Sequence, residues 1–217
     1  MATNRETFDR IAQAWYGFRH WPLLGDELNV IASRWQSGRI VNLGCAHGPD
    51  FLPFRSGFDL YGVDFSSGML RQARTYMAKH GFRAELVRAD LAHLPFGEAS
   101  FDHAVSVAAY HHVEDLEHRV QAFRELHRVL RPGGEVYLTV WNHRQAAFRS
   151  GAQDRLVPWK SGGRVLYRRY HLFTPEELCT HVTEAGLRIL WTGSESRHEG
   201  PVETGRNLCV LAARPED

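Results

Sequence analysis

The chain has 217 residues, of which 43% are hydrophobic and 24% charged, and its formal net charge is +1. That length and composition suit one soluble α/β domain with an ample core, and no apolar stretch approaches the roughly 20 residues that span a bilayer. The opening MATNRETFDR is too polar for a secretory signal, and the three distant cysteines (Cys45, Cys179, Cys209) argue against a disulfide framework or a zinc site, so a reducing, cytoplasmic setting is expected.

In chain order, Thr7–Ala14 and Leu24–Trp35 read as helices, followed by an apolar strand at Arg39–Leu43. That strand runs into a small-residue turn, Gly44-Cys45-Ala46-His47-Gly48. A second strand at Leu60–Val63 ends on an acid, Asp64, about 20 residues past Gly44, and Phe65 follows it. In a doubly wound sheet such a turn lets backbone N–H groups approach a ligand, and the acid at the next strand tip accepts hydrogen bonds from ribose hydroxyls. A nucleoside-containing cofactor is therefore expected. Gly68–His80 is a helix closed by Gly81, and Ala84–Arg88 and His103–Ala108 are strands. Val120, Phe123, Leu126, Val129 and Leu130 mark one face of a helix over Leu116–Leu130, and Gly134–Trp141 is the fifth strand. Thr174-Pro175-Glu176-Glu177 reads as a capping box opening a helix that Gly186 ends. Leu187–Thr192 and Asn207–Ala213 close the sheet as an antiparallel pair, which completes a mostly parallel seven-stranded α/β sheet with helices on both faces.

Residues 142–173 form a basic insertion in this single domain. From Trp141 to His171, seven basic residues (Arg144, Arg149, Arg155, Lys160, Arg164, Arg168, Arg169) face one acid, Asp154, and aromatics such as Trp159 alternate with them. Basic residues interleaved with aromatics suit a phosphate backbone with unstacked bases, so Arg144, Arg155, Trp159, Arg164, Arg168 and Arg169 are candidate RNA contacts. A solvated loop is the plain alternative.

The glycine turn, the runs Ala89-Asp90-Leu91 and Leu94-Pro95-Phe96, the strand Phe101-Asp102-His103-Ala104-Val105 and the segment Arg128–Gly134 occur in the order found in class I S-adenosylmethionine-dependent methyltransferases, which the chain resembles. The resemblance implies a Rossmann-like methyltransferase fold that binds S-adenosyl-L-methionine and releases S-adenosyl-L-homocysteine. It implies cofactor contacts from Asn42, Gly44, Ala46, Gly48, Asp64, Phe65, Asp90, Leu91 and Val107, with Asp90 at the adenine.

Further motifs narrow the family. Ser106–Val113 reads SVAAYHHV, Glu117–Glu125 reads E-x-R-x-x-A-x-x-E, Gln153–Trp159 reads QD-x-LVPW, and Arg19-His20-Trp21-Pro22 follows the first helix. Together these resemble the tRNA wobble-uridine carboxymethyl methyltransferases over about Phe8 to Cys209. The chain departs from that family at Asn42, where an acid is usual, at Ala46-His47, at Asn207-Leu208, and at His118, which stands in place of an arginine. A carboxylate acceptor needs no strong base, only positioning, and an arginine fork can supply that. Arg19 and Arg119 are the expected clamps, with His111 and His112 beside the acceptor. The resemblance also implies tRNA and a small zinc-binding activator protein as partners. Two other readings stay open at this point: a quinone- or sterol-type small-molecule methyltransferase, and a cofactor-binding partner protein without catalysis.

Overall fold

The computed structural model describes residues 2–161, 163–195 and 204–216. Seven strands form one sheet: β1 (Gly38–Leu43), β2 (Phe58–Asp64), β3 (Glu85–Arg88), β4 (Phe101–Val107), β5 (Leu130–Trp141), β8 (Arg188–Ser194) and β9 (Asn207–Ala213). Their order is β3-β2-β1-β4-β5-β9-β8, with the first five parallel and β9 antiparallel to both neighbours. The central strands are apolar along their length, as strands covered on both faces must be. Ile40, Val41, Leu43, Ala104 and Val105 are all buried. Strand order reverses between β1 and β4, which opens a crevice at the carboxyl ends of the sheet.

Helices cover both faces. α4 (Leu116–Val129) and α5 (Pro175–Glu184) bury Phe123, Leu126, Leu178 and Val182 on one side. α2 (Gly25–Trp35) and α3 (Ser67–His80) bury Leu28, Trp35, Leu70 and Tyr76 on the other. Their ends are set locally: Ser66 and Asp115 accept from the N–H groups of Met69 and His118, and Gly81 closes α3 at φ 69°. The α5 cap is only half of the expected box. Thr174 accepts from the Glu177 N–H, but the Glu177 carboxylate turns away to His171 and Gln153.

Besides β5, which starts at Leu130 rather than at Gly134, two elements differ from the sequence reading. α1 runs from Asn4 to Phe18, longer at both ends than expected, because Thr3 and Glu6 form a capping box before the apolar stripe begins. Residues read as a basic insertion contain an antiparallel hairpin, β6 (Asp154–Ser161) with β7 (Arg164–His171), outside the main sheet. Its base is fixed to α5, since His171 bridges Asp154 at 2.8 Å and Glu177 at 2.7 Å. Gln153 donates to the Leu172 carbonyl and to Glu177. Gln153 and Asp154 of the QD-x-LVPW block therefore hold the hairpin in place.

Candidate active site

A cavity of about 1040 Å³ lies at the carboxyl ends of the strands, and its floor is the sheet. After β1 the chain turns sharply, with the Gly44 and Cys45 N–H groups both donating to the Val63 carbonyl. Gly44 has φ +77°, and a side chain there would overlap the Cβ of Ala109. Ala46 is also left-handed, at φ 48°, and its N–H donates to Asp64 Oδ2 at 2.9 Å. Ser66 donates to Asp64 Oδ1 at 2.9 Å. Asp64 thus stitches the glycine turn to the start of α3 while facing the cavity, and burial pushes its carboxyl up to about 6 despite both bonds.

Gly44, Ala46, Asp64, Phe65, Asp90, Leu91 and Val107 all line the cavity. Asn42 and Gly48 do not. Asn42 sits one step inside β1 with its side-chain amide buried, and Gly48, at φ +90°, caps the following 3-10 turn where a side chain would press on Phe51. Both shape the turn from behind.

The roof comes from α1 and the hairpin. Gly68 allows α1 to cross α3 closely, because a Cβ there would lie 2.9 Å from Ala12 Cβ and from the Asp9 carbonyl. Asp9 accepts from Ser66 and from the Gly68 N–H. At the other end of α1, the Asn4 amide donates to the carbonyls of His112 and Arg169 and accepts from the Arg169 N–H. Thr7 donates to the Tyr167 carbonyl. One helix thereby joins the floor, the histidine pair and the hairpin.

Arg19, His111 and His112 line the cavity, as expected. Arg19 ends α1 beside the glycine turn. Its carbonyl contacts His47, and its Nε and Nη2 are buried without a partner. Arg19 also acts on Asp50, whose carboxyl burial raises and Arg19 pulls back down. His111 accepts from the Trp141 N–H and stacks on Tyr170, with centroids 4.8 Å apart. His112 meets Phe8 edge-on at 4.7 Å. Burial drives both rings to their neutral forms, with His112 lowered to about 3, so they act as hydrogen-bonding groups at neutral pH rather than as cations.

Arg119 requires correction. It lies outside the cavity, and its guanidinium donates to the carbonyls of Val113 and Glu114, holding the loop behind the histidines. Glu125 of the same motif accepts from the Leu94 N–H and pairs with Arg128. The E-x-R-x-x-A-x-x-E helix is thus a brace for two loops.

The candidate RNA arginines are also dispersed. Arg144 pairs with Glu176, Arg169 pairs with Glu114, and Arg155 is spent on the carbonyls of Phe148, Ser150 and Ala152. Arg164 lies on the outer side against α1, where it lines a second groove with Arg10. Trp159 and Arg168 point inward and line the cavity roof.

Comparison with known proteins bears on this crevice. A family described as "Methyltransferase domain" matches residues 40–134, the segment that carries the floor. An Encephalitozoon cuniculi protein whose name puts it forward as a methyltransferase is 32% identical over 185 residues, 82% of each chain. The chain belongs to the S-adenosylmethionine-dependent methyltransferases. A Schizosaccharomyces pombe relative, tRNA (carboxymethyluridine(34)-5-O)-methyltransferase, is 28% identical over 216 residues, covering 87% of this chain and 90% of that protein. Other relatives are longer, and the chain spans 25% of a Mus musculus one. The CcbJ methyltransferase from Streptomyces caelestis shares the fold, with a TM-score of 0.79 at 18% identity over 99% of this chain and 98% of that one.

The site includes Trp15 and His47, which sequence reasoning missed, and Phe8, Trp141 and Tyr170, which it noted only as parts of motifs. Phe8 and Trp15 are seven residues apart on one face of α1, a signal the helical period carries. His47 packs edge-on to Tyr16 and Tyr76, and no spacing in the sequence announces that.

Proposed function

We propose that this methyltransferase esterifies the carboxylate of a carboxymethyl-modified wobble uridine in tRNA, in the cytoplasm. The observation that carries this reading is the likeness, over nearly the whole chain, to the Schizosaccharomyces pombe enzyme named for that reaction. When bound, S-adenosylmethionine supplies a sulfonium methyl, and transfer to a carboxylate oxygen forms a C–O bond as the C–S bond breaks, with no proton to remove. The cavity suits such an acceptor. Its two histidines are neutral and weakly basic, and Arg19 and Arg168 hold buried guanidinium nitrogens without partners at its wall.

The floor fits the cofactor. The free lone pairs of Asp64 would receive ribose hydroxyls, the left-handed turn at Gly44 and Ala46 leaves room for the ligand against the backbone, and Asp90 and Leu91 would flank adenine. Phe18 and Trp21, 74% and 65% exposed, line the cavity and offer stacking faces to bases flanking the modified nucleotide. The free cysteines accord with a reducing compartment. The partner set we propose is tRNA together with the small zinc-binding activator that the family resemblance implies. Among the described residues no helix is long and apolar enough to cross a membrane.

The test is mass spectrometry of nucleosides from tRNA that lacks the final methyl, incubated with the enzyme and labelled cofactor. The expected product is a labelled methyl ester at the wobble uridine that mild base cleaves. Label appearing at another nucleotide, or none in tRNA, would overturn the reading.

A further inference from the structure

Arg168 is the most unusual charge in the molecule. It is only 7% exposed and faces the cavity from the inner side of the hairpin. Its Cζ lies 5.6, 5.4 and 5.2 Å from the ring centroids of Trp15, Trp159 and Tyr170, so the guanidinium sits in an aromatic box built by α1 and both hairpin strands. Nη1 donates to the Tyr170 hydroxyl at 2.7 Å, Nη2 reaches the Pro158 carbonyl only at 3.5 Å, and Nε has no partner. Among the described residues no carboxylate pairs with it, and the one neighbour that favours its charge is Tyr170. A buried cation with no anion is costly and is retained where something else supplies the anion.

What surrounds it narrows the ligand. The same cation helps to hold His111 and His112 neutral, and the exposed Arg206, whose guanidinium lies over Trp141, acts on His111 from the rim, so among these charges Arg168 is the buried one beside two uncharged rings. The edge formed by Nε and Nη2, buried and held only by the long contact to Pro158, is the side of the fork that takes a carboxylate in two parallel hydrogen bonds. Arg19 lies beside the glycine turn and already has Asp50 acting on it, and Arg119 faces away.

We propose that Arg168 is the anion clamp of the acceptor site, receiving the substrate carboxylate on its Nε edge inside the box of Trp15, Trp159 and Tyr170. This rests on the carboxylate-acceptor reading given above, and it assigns to the hairpin the role expected of Arg119.

The test compares wild type with Arg168→Met and Arg168→Lys, each saturated with S-adenosylhomocysteine. Calorimetry or tryptophan fluorescence reads the binding of 5-carboxymethyluridine and of its neutral amide, 5-carbamoylmethyluridine. Wild type is expected to prefer the acid by roughly tenfold or more, the size of a hydrogen bond to a charged group. Arg168→Met should abolish that preference, and Arg168→Lys should keep part of it, with cofactor affinity unchanged in both. The melting temperature of Arg168→Met should equal or exceed wild type, because removing an unpaired buried charge relieves desolvation; a purely structural arginine would lower it. Wild type that binds the acid no better than the amide, or at all weakly enough to show no difference, overturns the clamp, as does an Arg168→Met protein that keeps the preference. Methyl transfer to an anticodon stem-loop carrying 5-carboxymethyluridine, assayed alongside, separates the two claims. Transfer without acid preference sinks the clamp alone, and acid preference without transfer sinks the tRNA reading alone.

Discussion

The floor and the roof of the cavity are built on opposite principles. The floor hangs from the ends of apolar parallel strands, and its shape is fixed by backbone: left-handed residues at Gly44 and Ala46, and N–H groups tied to Val63 and Asp64. The roof is made of side chains, an aromatic and arginine layer carried by α1 and the β6–β7 hairpin and fastened by Asn4, Thr7 and Asp9. A backbone-defined floor suits the part of a ligand that never varies, whereas a roof of side chains can be re-specified residue by residue. On the proposed reading, the floor would hold the cofactor and the roof would select the acceptor.

The sharpest way to break this comparison is at Gly44. Gly44→Ala forces a left-handed alanine, costing about 1–3 kcal/mol, and also overlaps Ala109. Calorimetry is expected to find cofactor binding lost or reduced beyond a hundredfold, and urea unfolding to find a less stable protein. A folded variant with wild-type cofactor affinity would show that the floor is not rigid. The hairpin and the loop before it also carry exposed Arg149, Lys160 and Arg164, which make no ion pair among the described residues. Replacing these three with alanine should lower the log–log salt slope of tRNA binding by roughly 0.7–0.9 per residue and leave cofactor affinity intact. A slope that does not move would take RNA off these residues.

Asn4→Ala removes three hydrogen bonds that join α1, the histidine loop and β7. Hydrogen exchange in β7 should quicken by an amount matching roughly 1–3 kcal/mol, while β1 and β4 stay protected. Equal quickening in floor and roof would mean the two are one cooperative unit. The smallest effect concerns pH. His112 titrates near 3 in the folded protein against about 6.5 unfolded, so the unfolded chain binds its proton first, and stability is lost as pH falls through that window, by up to about 1.4 kcal/mol per unit. Asp64 has the opposite sign, because its raised value makes its contribution fade as pH climbs from 3.8 to about 6. Urea titrations at pH 7, 6 and 5 should show the histidine loss, and His112→Gln should reduce it, with His111 and His47 supplying the rest. An identical pH slope in that variant would assign the loss to other groups.

The floor was legible because its chemistry lies in short, contiguous patterns. The run from Arg39 to Gly48, the acid after Val63 and the strands that follow identified both the sheet and the side of it where ligands sit, and seven of nine expected cofactor residues line the cavity. The roof was not legible in the same way. Tyr167-Arg168-Arg169-Tyr170 reads as a basic surface until hairpin pairing turns Leu166, Arg168 and Tyr170 inward and leaves Arg169 to pair with Glu114. A count of charge cannot see that alternation, because it depends on register. Arg119, expected as a clamp for its fork and its place in the family-like helix motif, has a side chain that is needed by two loop carbonyls.

The aromatic box around Arg168 has a consequence for turnover. On the assignment made above, the substrate arrives as an anion and departs as an ester, so the reaction removes the one feature that the box is built to hold. The guanidinium is left beside a neutral group, so the product forfeits the charge-assisted hydrogen bonds that held the substrate. Product inhibition by the methylated acceptor should therefore be weak, and the enzyme would discharge each product by the chemistry that made it.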